Sequence, residues 1–197
     1  MDKLVLASGN AGKLKELSSL LAPLGIEVLP QSAFNVSEAE EPHPSFVENA
    51  IAKARHAARA TGLPALADDS GLCVDVLGGA PGVLSARFAG EPKSDARNNA
   101  LLLERLAGEP NRRARFYCAL ALVRHADDPQ PIVVEGEWHG EIVDTPRGDG
   151  GFGYDPYFLL PDLGVTAAEL DSAEKNRRSH RGLALQHLIE RLKARIG

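Results

Sequence analysis

Apolar positions along the chain keep two rhythms, and the rhythm changes mark the elements. Lys3-Leu4-Val5-Leu6-Ala7 is a short continuous apolar run and predicts a first strand buried on both faces. Leu14, Leu17, Leu20 and Leu21 then recur at helical spacing, with Gly25 as a stop. Ile26 to Pro30 predicts a second short strand, and the polar, acidic segment from Gln31 to Pro44 a solvated loop. Ser45-Phe46-Val47-Glu48 has the form of a capping box. It opens a helix to about Thr61, with Phe46, Ala50, Ala54 and Ala57 on one stripe and Gly62 as the stop. Ala65-Leu66-Ala67 predicts a strand that ends at Asp68 and Asp69. Ser70-Gly71 then turns the chain into a second strand-like run, Leu72 to Val76.

The second half continues the pattern. Leu77 to Val83, rich in glycine with one proline, predicts an irregular loop. Asp95 to Leu106 predicts a helix capped by Ser94 and stopped at Gly108. Arg115 to Val123 and the run from Ile132, separated by Asp127-Asp128-Pro129, predict a β-hairpin. Gly136, Trp138 and Gly140 suggest that its second strand is bent or bulged, with Trp138 in a packing role. Tyr157 to Leu160 predicts a further strand, and Thr166-Ala167-Ala168-Glu169 is a second capping box. Ser179-His180-Arg181-Gly182 opens the last helix, whose buried stripe is Leu185, Leu188, Ile189 and Leu192.

Composition narrows the classes. A chain of 197 residues fits one domain, residues 1–197. Its 22 basic and 27 acidic side chains give a net charge of −5. That argues against a nucleic-acid or anionic-membrane binder and leaves room for a small phosphorylated ligand. Cys73 and Cys118 each lie in an apolar run and read as buried thiols. No apolar run approaches the roughly 18 residues of a membrane span, and the N-terminus lacks a signal-peptide layout. The expectation is a soluble cytoplasmic protein.

Four stretches carry candidate chemistry. Ser8-Gly9-Asn10-Ala11-Gly12-Lys13 joins a strand to a helix, a layout that aims backbone N–H groups at an anion. It lacks Walker A spacing, and the alternative is a plain strand-to-helix turn. Asp68 and Asp69 repel each other unless a cation or a network holds them. They read either as a metal and phosphate site, since Mg²⁺ prefers oxygen ligands, or as a solvated turn. Lys53 can point at phosphates or lie solvated on its helix, and Glu38, Glu40 and Glu41 are within reach of a metal at Asp69. Gly150-Gly151-Phe152-Gly153-Tyr154-Asp155-Pro156 lets backbone approach a flat ligand, with Phe152 or Tyr154 to stack on it, or is a tight turn before a strand. His180 and Arg181 sit in a helix first turn, where the macrodipole disfavours cations, which hints at a ligand.

Read together and in order, these four motifs closely resemble those of the inosine triphosphate pyrophosphatase (HAM1-like) family. The likeness covers nearly the whole chain, including Phe46 to Ala50, Lys53 to Arg55 and Gly78 to Gly82. The resemblance implies an elongated α/β fold, a long mixed sheet flanked by helices in two lobes with a nucleotide cleft between them. It implies Mg²⁺ dependence, a homodimer, and hydrolysis of ITP, dITP and XTP to the monophosphate and pyrophosphate. By the same resemblance Ser8, Gly9, Asn10, Ala11, Gly12, Lys13 and Lys53 hold the triphosphate. Asp69 is the acid/base residue and a metal contact, and Ser70 touches substrate. Glu40 is the second metal contact, with Glu41 as its rival. Phe152, Gly153, Tyr154, Asp155, Lys175, His180 and Arg181 enclose the base, where donors on Lys175, His180 and Arg181 match the oxygen at C6 of a deaminated purine. Ser8 stands where many relatives carry Thr, and both offer a hydroxyl.

Two other functions compete on the same residues. A phosphotransferase would use the same phosphate loop, against which the missing Walker spacing counts. A nucleotide-binding regulator without catalysis would gain little from adding the Asp68-Asp69 charge beside an anion.

Overall fold

The computed structural model describes residues 3–196. Among them a seven-stranded sheet runs in the order β2-β1-β3-β4-β5-β6-β7. Its strands are β1 (Lys3–Ala7), β2 (Glu27–Pro30), β3 (Ala65–Val74), β4 (Arg113–Val123), β5 (Ile132–Ile142), β6 (Phe158–Leu160) and β7 (Val165–Thr166). β1 pairs in parallel with β2 and β3, whereas β5–β6 and β6–β7 are antiparallel, so the sheet is mixed. The helices are α1 (Ala11–Leu21), α2 (Phe46–Thr61), α3 (Asp95–Arg105), α4 (Ser172–Arg178) and α5 (His180–Ile196). No helix of the described residues is long and apolar enough to cross a membrane.

The chain divides into two compact units. The first comprises residues 1–69, 118–136 and 181–197, and the second residues 70–117 and 137–180. The first unit's core packs Leu17 and Leu21 of α1 and Leu185 and Leu188 of α5 on Leu4, Leu6, Leu66, Leu120 and Leu122 of the sheet. The side chain of Leu20, which the spacing puts in the α1 stripe, lies outside the described residues. The second unit packs Leu102 and Leu106 with Phe116, Trp138, Tyr154 and Phe158. Trp138 is buried between Phe116 and Phe158, the packing role its sequence position suggested.

The caps follow the sequence closely. The Ser45 hydroxyl accepts from the Glu48 N–H, and Gly62 ends α2 in the left-handed region at φ +68°. Ser94 caps α3 by accepting from the Arg97 N–H. The Thr166 box is formed but opens only a three-residue 3₁₀ turn, Ala167–Glu169. Lys175 lies in α4, a short helix the pattern does not predict.

Two expectations are corrected. Asp68-Asp69-Ser70-Gly71 is not a turn between two strands but the middle of one ten-residue strand, β3. Strand geometry is possible there because successive side chains point to opposite faces, so the two carboxylates take different partners. Gly71 is needed because a Cβ there would strike the Gly82 carbonyl oxygen and lie 2.5 Å from the Ser85 hydroxyl. β5 likewise runs uninterrupted, with inward and outward positions alternating from Val134 to Ile142. Gly140 marks close packing, since a Cβ would meet the Phe158 ring at 2.6 Å and the Leu159 carbonyl oxygen at 2.5 Å.

The connection between β4 and β5 is organised by Asp128, which is buried. Its carboxylate accepts from the backbone N–H groups of Arg124 (3.0 Å) and Gln130 (3.0 Å) and from the Arg124 guanidinium. The Arg124 hydrogen bond is the largest influence and holds the carboxyl well below the usual range. A depressed pKa stabilises the fold above the ordinary carboxylate pKa, and the gain is lost as pH falls through the folded value. Asp128→Ala is therefore expected to destabilise the protein by about 1–2 kcal/mol at pH 7. Urea denaturation at pH 7 and pH 3 checks this, with the gap to the parent narrowing below about pH 4.

Candidate active site

In the first unit the site begins with α1. Asn10 caps the helix, its Oδ1 accepting from the Lys13 N–H at 3.1 Å. The Ser8 hydroxyl accepts from the Asn10 N–H at 3.2 Å, so these side chains shape the loop locally. Lys13 reaches back to β3, with Nζ 2.6 Å from Asp68 Oδ1. Asp68 Oδ2 accepts from Arg181 Nε at 2.9 Å and from the Cys118 thiol at 3.2 Å. Arg181 in turn places a guanidinium nitrogen 2.8 Å from Glu16 Oε2. Full burial pushes the Asp68 pKa upward, but Lys13 and Arg181 outweigh it and hold the carboxyl well below its usual range. The Cys118 thiol is pushed well up by burial and by the neighbouring Asp68 charge, which makes it an inert donor.

Asp69 faces the other way and has a different circle. Its Oδ1 accepts from Lys53 Nζ at 2.8 Å, and Lys53 also binds Glu41 Oε1 at 2.8 Å. Asp69 Oδ2 is buried and has no hydrogen-bond partner in the structure, the one such carboxylate oxygen among the described residues. Burial raises the Asp69 pKa, and Lys53 only partly offsets it. Lys53 is itself raised: burial opposes its charge, but Asp69 and Glu41 prevail. Glu40 is exposed, and no described hydrogen bond or ion pair ties it to Asp69 or Lys53. Glu41 is the glutamate the structure brings to Asp69.

A buried carboxylate oxygen without a partner suits a hard cation. Among the described residues no three His, Cys, Asp or Glu side chains converge on a common point. Asp69 and Glu41 offer two carboxylates, the number Mg²⁺ usually takes before completing its shell with water and substrate phosphates. The donor set thus fits Mg²⁺ better than a metal that needs a full protein cage.

The second unit holds its own cluster. Asp155 is buried, and its Oδ2 accepts from the Phe152 N–H and from Lys175 Nζ, both at 2.8 Å. Gly151 makes this possible: it sits at φ +70°, and a Cβ there would strike Asp155 Oδ2. Lys175 Nζ lies 5.0 Å from the centre of the half-buried Phe152 ring. Tyr154 is buried, its hydroxyl donating to the Ser85 carbonyl at 2.7 Å, so Phe152 is the ring of the pair with surface to offer. His180 is buried in the same unit, stacked on Phe116 with centroids 5.0 Å apart. Ser70 is the first residue of this unit, half-buried in β3.

The predicted residues therefore separate into two groups. Ser8 to Lys13, Lys53, Asp69 and Glu41 gather in the first unit; Phe152 to Asp155, Lys175 and His180 lie in the second. Arg181, expected beside the base, has its described bonds to Asp68 and Glu16 in the first unit. Cys118 is buried as its sequence position suggests, but the parts of Glu16 and Cys118 in the Asp68 cluster are not in the sequence reading. Glu16 carried a signal, since it lies three residues after Lys13 and shares its helix face. Cys118 carried none, because its role depends on which strand lies next to β3.

The chain is similar to known proteins along nearly its whole length. Residues 4–191 match the model of the Ham1 family. A dITP/XTP pyrophosphatase of Aromatoleum aromaticum is 72% identical over 96% of both chains. One from Chromobacterium violaceum is 69% identical over 98% of both. A HAM1 protein of Coxiella burnetii of known structure superposes with a TM-score of 0.91 at 51% identity, covering 98% of this chain and 100% of its own.

Asp68 and Asp69 are expected to differ sharply when changed. Asp68→Ala leaves the half-buried Lys13 and the buried Arg181 with only Glu16 to balance them, and is expected to cost about 3–5 kcal/mol of stability. Equilibrium urea unfolding measures it. A loss below about 1 kcal/mol would mean that solvent reaches the cluster and that Asp68 is not its centre.

Proposed function

The chain belongs to the Ham1 family, and on that premise we infer that the first unit's cluster takes the phosphates of a purine nucleoside triphosphate and that the second unit's Phe152 loop takes a purine base. The protein hydrolyses ITP, dITP and XTP to the nucleoside monophosphate and pyrophosphate. The names of its relatives support the substrate class. The observation that carries the chemistry is Asp69: a buried carboxylate with a raised pKa and one oxygen left open.

The residues divide the work. The Ser8–Lys13 loop, with α1 behind it, presents backbone N–H groups and a helix N-terminus to the phosphates. Lys13 and Lys53 stabilise the charge that builds on the leaving pyrophosphate. Asp68 keeps Lys13 in place, and Lys13 and Arg181 keep Asp68 ionised. Asp69 orients a water and takes its proton as that water attacks the α-phosphorus. Its raised pKa makes it a stronger base than an exposed aspartate, while Lys53 fixes its orientation. Asp69 and Glu41 would hold Mg²⁺, which when bound supplies neutralisation of phosphate charge. Phe152 stacks on the base, and Lys175, fixed by Asp155, offers donors to an acceptor oxygen. The homodimer and the cytoplasmic location that the family likeness implies remain part of this reading.

Incubation with ITP and Mg²⁺, followed by product identification, is expected to give inosine monophosphate and pyrophosphate. Free phosphate with the diphosphate would overturn the reaction assigned here. Chelation by EDTA is expected to abolish turnover and added Mg²⁺ to restore it. Asp69→Asn is expected to lower kcat by about 10²–10⁴-fold with little change in Tm, because Lys53 keeps Glu41. Near-normal turnover at saturating Mg²⁺ would remove Asp69 from the mechanism. Lys13→Ala and Lys53→Ala are expected to raise KM for every purine triphosphate alike. A strong change in the ITP-to-GTP ratio would place that lysine at the base instead.

A further inference from the structure

The Gly150–Asp155 loop is held by a helix to which no role has yet been given. α3 begins beside it. Asp95, in the helix's first turn and exposed, accepts from the Gly153 N–H at 3.0 Å through Oδ2. Asn99, one turn on and 6% exposed, donates through Nδ2 to the Gly153 carbonyl at 3.0 Å and to the Asp95 carbonyl at 2.9 Å. Both backbone polar groups of Gly153 are thus fastened to one helix. Asn98, also buried, donates to the Ser85 and Ala86 carbonyls. The Ser85 carbonyl is the acceptor of the Tyr154 hydroxyl, so the same helix also secures the next residue of the loop through its ring.

This arrangement is not what stability alone would select. Asparagine is a poor residue inside a helix, because its side chain competes for backbone hydrogen bonds. Asn99 Oδ1 is moreover buried with no hydrogen-bond partner in the structure, a cost that an apolar side chain would avoid. What the pair achieves is local order. Gly153 sits at φ +63° with a second left-handed glycine, Gly151, two residues before it. Glycine has more backbone freedom to lose than any other residue. Without fastening, the Phe152 ring between these glycines would sample many orientations, and a ligand would bear the cost of ordering it.

We infer that Asp95 and Asn99 are positioning residues that fix Gly153, and through it the Phe152 ring, in the arrangement that receives the purine base. The inference rests on the reading of this loop as the base-binding one. Neither side chain needs to touch substrate, and both act through the backbone of one glycine.

Steady-state kinetics with ITP on Asp95→Ala and Asn99→Ala, with inorganic tripolyphosphate as a competitive inhibitor, tests it. Tripolyphosphate has no base and engages only the phosphate-holding residues. KM for ITP is expected to rise about five- to tenfold, the worth of one hydrogen bond. The kcat stays within about twofold, and so does the Ki for tripolyphosphate. Asp95 is exposed, so its variant folds even if Asn99→Ala does not. Asp95→Asn keeps an oxygen that accepts from the same N–H and is expected to bring KM back toward the parent value, which a role for charge alone would not. Unchanged KM in Asp95→Ala, or KM and Ki rising together, overturns the inference. Phe152→Ala separates the two levels. If it raises KM while Asp95→Ala does not, only the positioning role falls. If neither does, the base-binding reading of the loop falls and this inference with it.

Discussion

The buried carboxylate of Asp68 is the interaction on which the first unit's chemistry depends. An ionised carboxylate at full burial is tenable only with opposite charge and hydrogen bonds around it. Lys13 from α1, Arg181 from α5 and the Cys118 thiol from β4 supply them. Glu16 balances the remaining guanidinium charge, so two cations face two anions. Such a cluster tolerates little displacement, because breaking any one pair leaves a charge uncompensated. It therefore fixes the start of α1, the start of α5 and the middle of β3 relative to one another within this unit. The Ser8–Lys13 loop takes its place from that constraint.

The strand then turns one position into two environments. Asp68 and Asp69 are neighbours in sequence but point to opposite faces of β3. Asp68 falls on the face of Leu66 and Cys118, where α1 and α5 pack. Asp69 falls on the other, against Lys53 of α2. One carboxylate is saturated with donors and held far below its ordinary pKa; the other keeps an open oxygen and a raised one. Two identical residues thus acquire different charge environments, and the difference lies only in their surroundings.

The second unit follows a different logic. Its loop is short of side chains and rich in glycine, so its order comes from outside. Asp155 gathers the Phe152 N–H and the Lys175 ammonium, and α3 gathers Gly153. Tyr154, expected as a rival stacking ring, is committed to the core by its buried hydroxyl bond. The ring that remains, Phe152, is the one the surrounding contacts hold still.

Much of this was legible in the chain before folding. Helix starts at Ser45 and Ser94 and the stop at Gly62 are local events, decided by side-chain oxygens and a left-handed glycine within a few residues. The order of the glycine-rich and acidic motifs was equally local, and it was enough to point to a family and its reaction. What sequence alone could not supply was non-local. Asp68 to Gly71 has the composition of a turn, and only the arrival of Lys13, Lys53 and Arg181 from three separate helices makes a strand tenable there. That Glu41 and not Glu40 meets Lys53 is likewise invisible in the acidic segment itself. The partnership of Arg181 with Asp68 and Glu16, and the grip of Asn99 on Gly153, join residues 113, 165 and 54 positions apart. Composition and periodicity report what a segment prefers by itself; the energy of a buried charge or an unpaired amide depends on what the rest of the fold brings within 3 Å, and that only the tertiary structure decides.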